Sequence, residues 1–314
     1  MSAGDSPVVA TVVVPTYNRS ALLRSCLRSL VDQQLEVPYE VVVVDDGSTD
    51  DTRLVVDQAR RSRGGAVIRY HWQPNAGINA GRNKGIALAR SDLVCFVDDD
   101  VDAPPHWLSA IVDGASRHPE ATVLGGPIRL RIEGRPPRMC GREQLPETVL
   151  DLGPQPVWDA LLYGANFAVR REAGQALGGF DDGRGSGWVW GDEEEFERRV
   201  LASGGHTLYL PEADVWHRRT AADLRARSLL RKEFARGRTQ AQFGYLTGSP
   251  PRVQAEVSLA LRGVYHAVRR RCFTGALLCA RAAGHCAGMG VRRGRSARAR
   301  PAVGQPSQPG SDPR

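Results

Sequence analysis

The 314-residue chain has no CxxC pair among its six cysteines, no apolar run long enough to span a bilayer, and no acidic residue between positions 262 and 300. The first absence argues against a zinc ribbon or a dithiol redox site. Cys26, Cys95, Cys140, Cys272, Cys279 and Cys286 therefore read as reduced structural thiols. The last three recur every seven residues, which places them on one helical face and predicts small core residues there. With the second absence no signal-type leader is expected, since Val8–Val14 is only strand-length and lacks a preceding basic region. A cytoplasmic protein is expected.

The third absence localises the charge. Residues 262 to 300 hold ten arginines and no acid, so a net charge of +7 leaves the rest of the chain at −3. Together with Val264, Leu277 and Leu278 this segment predicts a basic amphipathic element and a peripheral contact at the inner face of a membrane. Nucleic acid is not expected as a partner, because the aromatic residues that stack bases are sparse there, with only Tyr265 and Phe273.

What is present is a globular composition, 41% hydrophobic and 25% charged. Apolar, β-branched runs at Val8–Val14, Val41–Val44, Val67–Tyr70 and Leu93–Val97 alternate with helical patterning at 20–32, 52–62 and 78–90. That alternation predicts an α/β fold with a mostly parallel, doubly wound sheet. Near-continuous valine fits strands covered on both faces, and ligands bind at the carboxyl ends of such strands.

Asp50 and Asp51 are placed to cap the second helix. Pro104 and Pro105 suit the start of a helix running to about Ser116, and Val123–Ile128 predicts another strand. Residues 129–156, rich in arginine, proline and glycine, predict an irregular excursion before a strand at Ala165–Val169. A glycine-bearing loop, Asp181 to Gly191, then leads into an acidic helix start at Asp192–Leu201. Helical patterning from Ala221 to about Arg238 and from Val253 to about Met289 predicts a C-terminal extension over 221–290, and 291–314 reads as a disordered basic tail.

The densest chemical signal is Phe96, Val97, Asp98, Asp99, Asp100, Val101, where three carboxylates emerge at the end of an apolar strand. Their mutual repulsion opposes shared ionisation, and a hard divalent cation binding diphosphate oxygens compensates it. The cluster alone leaves several enzyme classes open.

In this order VVVPTYNR, VVVVDDGSTD, NAGINAGRNKG, FVDDD and WGDEEEF resemble the family-2 glycosyltransferases of the GT-A type, over residues 8 to 217. The resemblance implies a GT-A domain over 1–220. Its nucleotide-sugar half covers about 8–102 and its acceptor half 103–220. It also implies a nucleotide-sugar donor with UDP or dTDP favoured, Mn²⁺ or Mg²⁺ as cofactor, and inverting transfer to an acceptor hydroxyl.

By position in those motifs, Asp46 would accept the N3–H of uracil or thymine, Tyr17 would pack on the base, and Pro15 and Thr16 would lie nearby. Arg82 would face the diphosphate or the nucleotide at a helix start. Asp98 and Asp100 form the outer pair of a D-x-D reading, with Asp100 the main metal contact, Asp99 at the ribose, and His217 completing the metal shell. Glu193 aligns with the catalytic base, usually an aspartate, and Asp192 stays beside it as the alternative. Trp188 and Trp190 are expected on an acceptor-binding lid.

The acceptor is expected to be a lipid-linked glycan, a polysaccharide or a small natural product. The rival readings are a nucleotidyltransferase, whose glycine-rich basic N-terminal loop is missing, and a catalytically inactive GT-A-like scaffold that docks on a membrane.

Overall fold

Strand β1 (Ala10–Thr16) runs through the centre of the chain's main sheet, with β2 (Tyr39–Asp45) and β3 (Ala66–Trp72) parallel to it on one side. On the other side lies β4 (Leu93–Phe96), also parallel. Valine at 12, 13, 14 and at 41 to 44 is buried throughout, so the continuous apolar run reflects a sheet covered on both faces. The structure is a computed structural model that describes residues 8–62, 65–140, 145, 147–182, 191–246, 248–249 and 251–290.

The full order is β3-β2-β1-β4-β9-β6-β10-β8, where β6 is Ala121–Gly125, β8 Val157–Trp158, β9 Phe167–Arg170 and β10 His206–Tyr209. Strands β8 and β9 run antiparallel to their neighbours and the others share one direction. Because β2 and β3 build outward from one edge of β1 and β4 returns on the other, the chain reverses its winding between β1 and β4. A crevice at the carboxyl ends of those strands is the expected ligand position in an open α/β sheet.

Helices α1 (Ser20–Val31), α2 (Thr52–Arg60) and α3 (Ile78–Leu88) follow the first three strands, as the sequence pattern predicts. Asp50 does more than expected. Its Oδ1 accepts from the backbone and hydroxyl of Thr52, while its Oδ2 accepts the backbone N–H of Ser20 at the start of α1. The N-cap of α2 is Asp51, whose side chain makes no capping hydrogen bond. Helix α4 (Trp107–Arg117) begins after the proline pair, followed by α5 (Arg171–Ala176) and α6 (Asp192–Ala202).

The expected strand Val123–Ile128 is two strands. Gly126 and Pro127 end β6, and Ile128 opens β7 (Ile128–Glu133). The start of the excursion is therefore ordered rather than irregular. Strand β7 pairs in parallel with β11 (Val215–Thr220), which pairs antiparallel with β5 (Val101–Asp102) in a small second sheet.

The C-terminal part is a group of three helices, α7 (Ala226–Leu246), α8 (Val253–Arg269) and α9 (Phe273–Gly290). The predicted single helix from Val253 breaks at residues 270–272, where Arg271 takes a left-handed turn (φ 47°). Helix α9 packs between α7 and α8, so Leu277 and Leu278 are buried and do not form the exposed amphipathic face expected of them. Among the described residues no helix is long and apolar enough to cross a membrane.

Two cysteine expectations also fail. Cys140 and Cys272 are joined in a disulfide, and Cys286 is exposed rather than in the core, although Cys26 and Cys95 are buried thiols as expected. The disulfide is reinforced by backbone contacts, since Phe273 N–H donates to the Arg138 carbonyl and the Thr274 hydroxyl to that of Cys140. The excursion is thereby tied to the C-terminal helices. Trp188, Trp190 and the tail 291–314 lie outside the described residues.

Candidate active site

Across the winding reversal, Oγ1 of Thr16 donates to Oδ2 of Asp99 at 2.8 Å, joining the end of β1 to the acidic triplet after β4. Arg19 reaches the same triplet from the start of α1, with Nη1 2.6 Å from Oδ1 of Asp99 and Nη2 2.7 Å from Oδ2 of Asp100. Tyr17 is exposed beside this crevice.

The small sheet explains how His217 arrives. Strand β5 begins immediately after Asp100, and pairing with β11 sets His217 opposite Val101. Nε2 of His217 then stands 2.9 Å from Oδ1 of Asp100, and Nη1 of Arg219, two residues on and on the same face, 2.6 Å from Oδ2. Arg219 also pairs with the buried Glu147 of the excursion, which Lys232 of α7 contacts at 2.8 Å.

Burial opposes ionisation of Asp100, yet His217, Arg19 and Arg219 outweigh it and hold the carboxyl well below the usual carboxylate range. Burial pushes Asp99 up to about 7 against the pull of Arg19. Asp98 is also raised, by burial and by the neighbouring Asp100.

Carboxylate oxygens of Asp98 and Asp100 and a ring nitrogen of His217 all lie within 4.8 Å of one another. Oδ1 of Asp100 is buried and, despite the near imidazole, takes no directed hydrogen bond. Two carboxylates, an imidazole and an unsatisfied anionic oxygen form a donor set that fits Mn²⁺ or Mg²⁺.

Arg82 is buried on α3, and its placement differs from a plain phosphate contact. Its Nη2 lies 2.8 Å from Oε1 of Glu193, at the start of α6, and 4.0 Å from Oδ1 of Asp98. Burial pulls its pKa down, but Glu193, Asp98 and Asp192 together hold it above the ordinary value. The guanidinium stands 5.3 Å over Phe180, in an aromatic group with Phe96, Phe167 and Phe196. Thus Arg82 bridges the carboxylate expected to act as base and the one expected to hold metal.

Gly164 is what permits this approach. A Cβ there would meet Nη2 of Arg82 at 2.0 Å and Oε1 of Glu193 at 2.3 Å, and its own N–H donates to that oxygen. Gly191, with φ of 95°, turns the chain into α6 so that Asp192 is buried and Glu193 remains partly open.

Asp46 is buried, with partners inside the chain. Its Oδ1 accepts from Gln73 Nε2 (2.8 Å) and Ala76 N (3.0 Å), and its Oδ2 from Gly77 N (2.8 Å), so the carboxylate shapes the glycine loop before α3. Oδ2 keeps acceptor capacity. Asp45 is held by the Tyr70 hydroxyl and Ser48 N–H.

Glu197, one turn beyond Glu193, is fully buried, with Oε1 accepting the Leu162 N–H and Oε2 unsatisfied. Burial raises it to about 9. An acid whose pKa is higher folded than unfolded holds its proton in the native state, so the folded state binds more protons than the unfolded one from about pH 4.5 to 9. Its contribution to stability falls across that window as pH rises, by up to ~1 kcal/mol per pH unit. The Glu197→Gln variant is expected to lose this slope and to gain melting temperature relative to the parent at pH 8 but not at pH 4. Parallel curves for the two proteins would contradict the assignment.

Sequence reading missed Arg19, Arg219, Glu147 and Gly164. Arg19 stood inside the PTYNR string, and Arg219 repeats His217 at the strand period of two, so both left a readable signal.

The description "Glycosyl transferase family 2" matches residues 11–178. Validoxylamine A glucosyltransferase of Streptomyces hygroscopicus subsp. jinggangensis is 40% identical over 119 residues, 37% of this chain and 28% of that one. Glucosyl-dolichyl phosphate glucuronosyltransferase of Haloferax volcanii is 29% identical over 217 residues, 66% of this chain and 68% of that one. The chain spans only 12% to 28% of the length of the first curated relatives it matches. Among solved structures, the mannosyltransferase PcManGT of Pyrobaculum calidifontis, in complex with GDP-Man and Mn²⁺, superposes with a TM-score of 0.55 at 18% identity, covering 91% of this chain and 76% of that one. The fold is of the GT-A type, and the chain belongs to glycosyl transferase family 2.

Proposed function

We propose that the protein is a metal-dependent, inverting glycosyltransferase that moves a sugar from a UDP- or dTDP-linked donor to an acceptor hydroxyl. The observation that carries this reading is the convergence of Asp98, Asp100 and His217 with the Arg82–Glu193 pair. Asp98, Asp100 and His217 would hold the divalent cation, which when bound neutralises charge on the departing diphosphate.

The chain's own groups do the rest. Thr16, Tyr17 and Asp46 border the donor crevice, with Tyr17 exposed for stacking on the base. Glu193 takes the proton from the acceptor hydroxyl as that oxygen attacks C1, and its hydrogen bonds from Arg82 and Gly164 fix the direction of the carboxylate. Attack from the face opposite the leaving diphosphate, in one displacement, inverts the anomeric centre. Asp192 is buried behind Glu193, which makes Glu193 the more accessible base.

The acceptor class is a lipid-linked glycan, a polysaccharide or a small natural product. The names of relatives include a glucosyl-dolichyl phosphate and validoxylamine A. Isothermal titration with UDP, dTDP, GDP and ADP, each with and without Mn²⁺, tests the donor half without an acceptor. UDP or dTDP is expected to bind at least about tenfold more tightly with Mn²⁺ and more tightly than the purine nucleotides. Binding of none of the four would favour an inactive scaffold.

A further inference from the structure

Helix α8 carries six large apolar side chains in the open: Val253, Val257, Leu261, Val264, Tyr265 and Val268, each between 52% and 72% exposed. At 100° per residue they fall within an arc of about 120°. The opposite face packs on α9, where Glu256 and Gly263 are buried. Gly263 and Gly275 bring α8 and α9 into backbone contact, where a Cβ on Gly263 would meet Sγ of Cys279 at 2.6 Å. Glu256 is buried there against His285. The stripe is therefore the outward face of a helix seated on α9 through Gly263 and Glu256.

Its charge has one sign. Arg252 stands before the first residue of the stripe, Arg262 and Arg269 lie along one side of it, and Arg270 and Arg271 follow its end, all exposed. Glu256 is the only acid on α8, and it faces inward. From 291 to 300 the sequence adds five arginines and no acid.

We propose that the α8 face docks on an anionic lipid surface, with the valine and leucine stripe in the interfacial layer and the arginines against lipid phosphates. Charge complementarity selects this occupant over a second copy of the chain. A two-fold symmetric contact would set the same face against itself and bring arginine to arginine. Tyr265, at the edge of the stripe with Arg270 6.0 Å over its ring, suits the depth at which headgroups meet acyl chains. The residues differ from the expected set, since Leu277 and Leu278 are buried on α9. The proposal is independent of which acceptor the enzyme uses.

The test is cosedimentation of the full chain with vesicles of phosphatidylcholine alone and of equal parts phosphatidylcholine and phosphatidylglycerol. Binding is expected to be at least about tenfold stronger to the anionic vesicles and to weaken as salt rises. The Val257→Asp/Leu261→Asp and Arg269→Glu/Arg270→Glu variants are each expected to reduce it about tenfold, with unchanged melting temperature and nucleotide binding. A milder Val257→Ser/Leu261→Ser variant reads the stripe if the aspartates disturb folding. Three outcomes would overturn the proposal. These are equal binding to neutral and anionic vesicles or to neither, variants that split a dimer in solution without changing sedimentation, and binding that survives the stripe variants but is lost when 291–314 is removed.

Discussion

Replacing Glu193 by glutamine is expected to lower the turnover of sugar transfer by roughly 10²- to 10⁴-fold. Nucleotide affinity in the presence of Mn²⁺ is expected to stay within about threefold of the parent. The substitution keeps the side-chain length and retains an oxygen to accept from Arg82 and Gly164, so the donor crevice and α6 keep their positions. What disappears is the capacity to take a proton. Steady-state kinetics with the preferred nucleotide sugar, combined with titration of the nucleotide, separates the two effects. Near-normal turnover by Glu193→Gln would move the base to Asp192, and a parallel loss of binding and turnover would make Glu193 a structural partner of Arg82 instead.

Asp100→Asn is expected to remove the metal-dependent part of nucleotide binding, a loss of about a hundredfold or more in the Mn²⁺-dependent affinity. This variant carries a stability cost as well. It would leave Arg219, buried against Asp100 and Glu147, and the partly exposed Arg19 without their shared anion. Arg219 keeps Glu147 and Arg19 keeps Asp99, so a modest fall in melting temperature should accompany the loss of binding. Asp98→Asn separates the effects, because the nearest cation to Asp98 is Arg82 at 4.0 Å. It should lose metal-dependent affinity at an almost unchanged melting temperature. Full Mn²⁺ dependence in Asp98→Asn would remove that residue from the cation site.

The part of the fold that the sequence made legible is the part built by local periodicity. Valine runs covered on both faces and amphipathic intervening segments specify β1 to β4 and α1 to α3 with no long-range information. The acidic triplet was readable for a similar reason, because carboxylates have no packing role at the end of a buried strand. The second sheet was not readable, since β5 has two residues and β11 finds β7 across more than eighty positions. His217 was therefore placed by resemblance, and Arg219, its neighbour on the same strand face, was marked only by its spacing of two from it.

The disulfide shows the same limit. Cys140 and Cys272 are 132 positions apart, one in the proline-rich excursion and the other in a helix break hidden by continuous helical patterning. The α8 stripe failed differently. Helical periodicity from Val253 onward gave helix, but neither its break at 270–272 nor which apolar residues would find a partner, and α9 buried Leu277 and Leu278 while leaving Val257 and Leu261 outside.

The Asp100–Arg219–Glu147 chain of charges bears on how this protein can be recombined. A chimaera cut after residue 102 would carry the donor-side motifs intact, yet would strip Asp100 of the histidine and arginine that β11 supplies. The exchangeable unit is therefore discontinuous: residues up to 102 travel with β11, and Arg219 travels with Glu147. A working exchange leaves those anchors in their native combination.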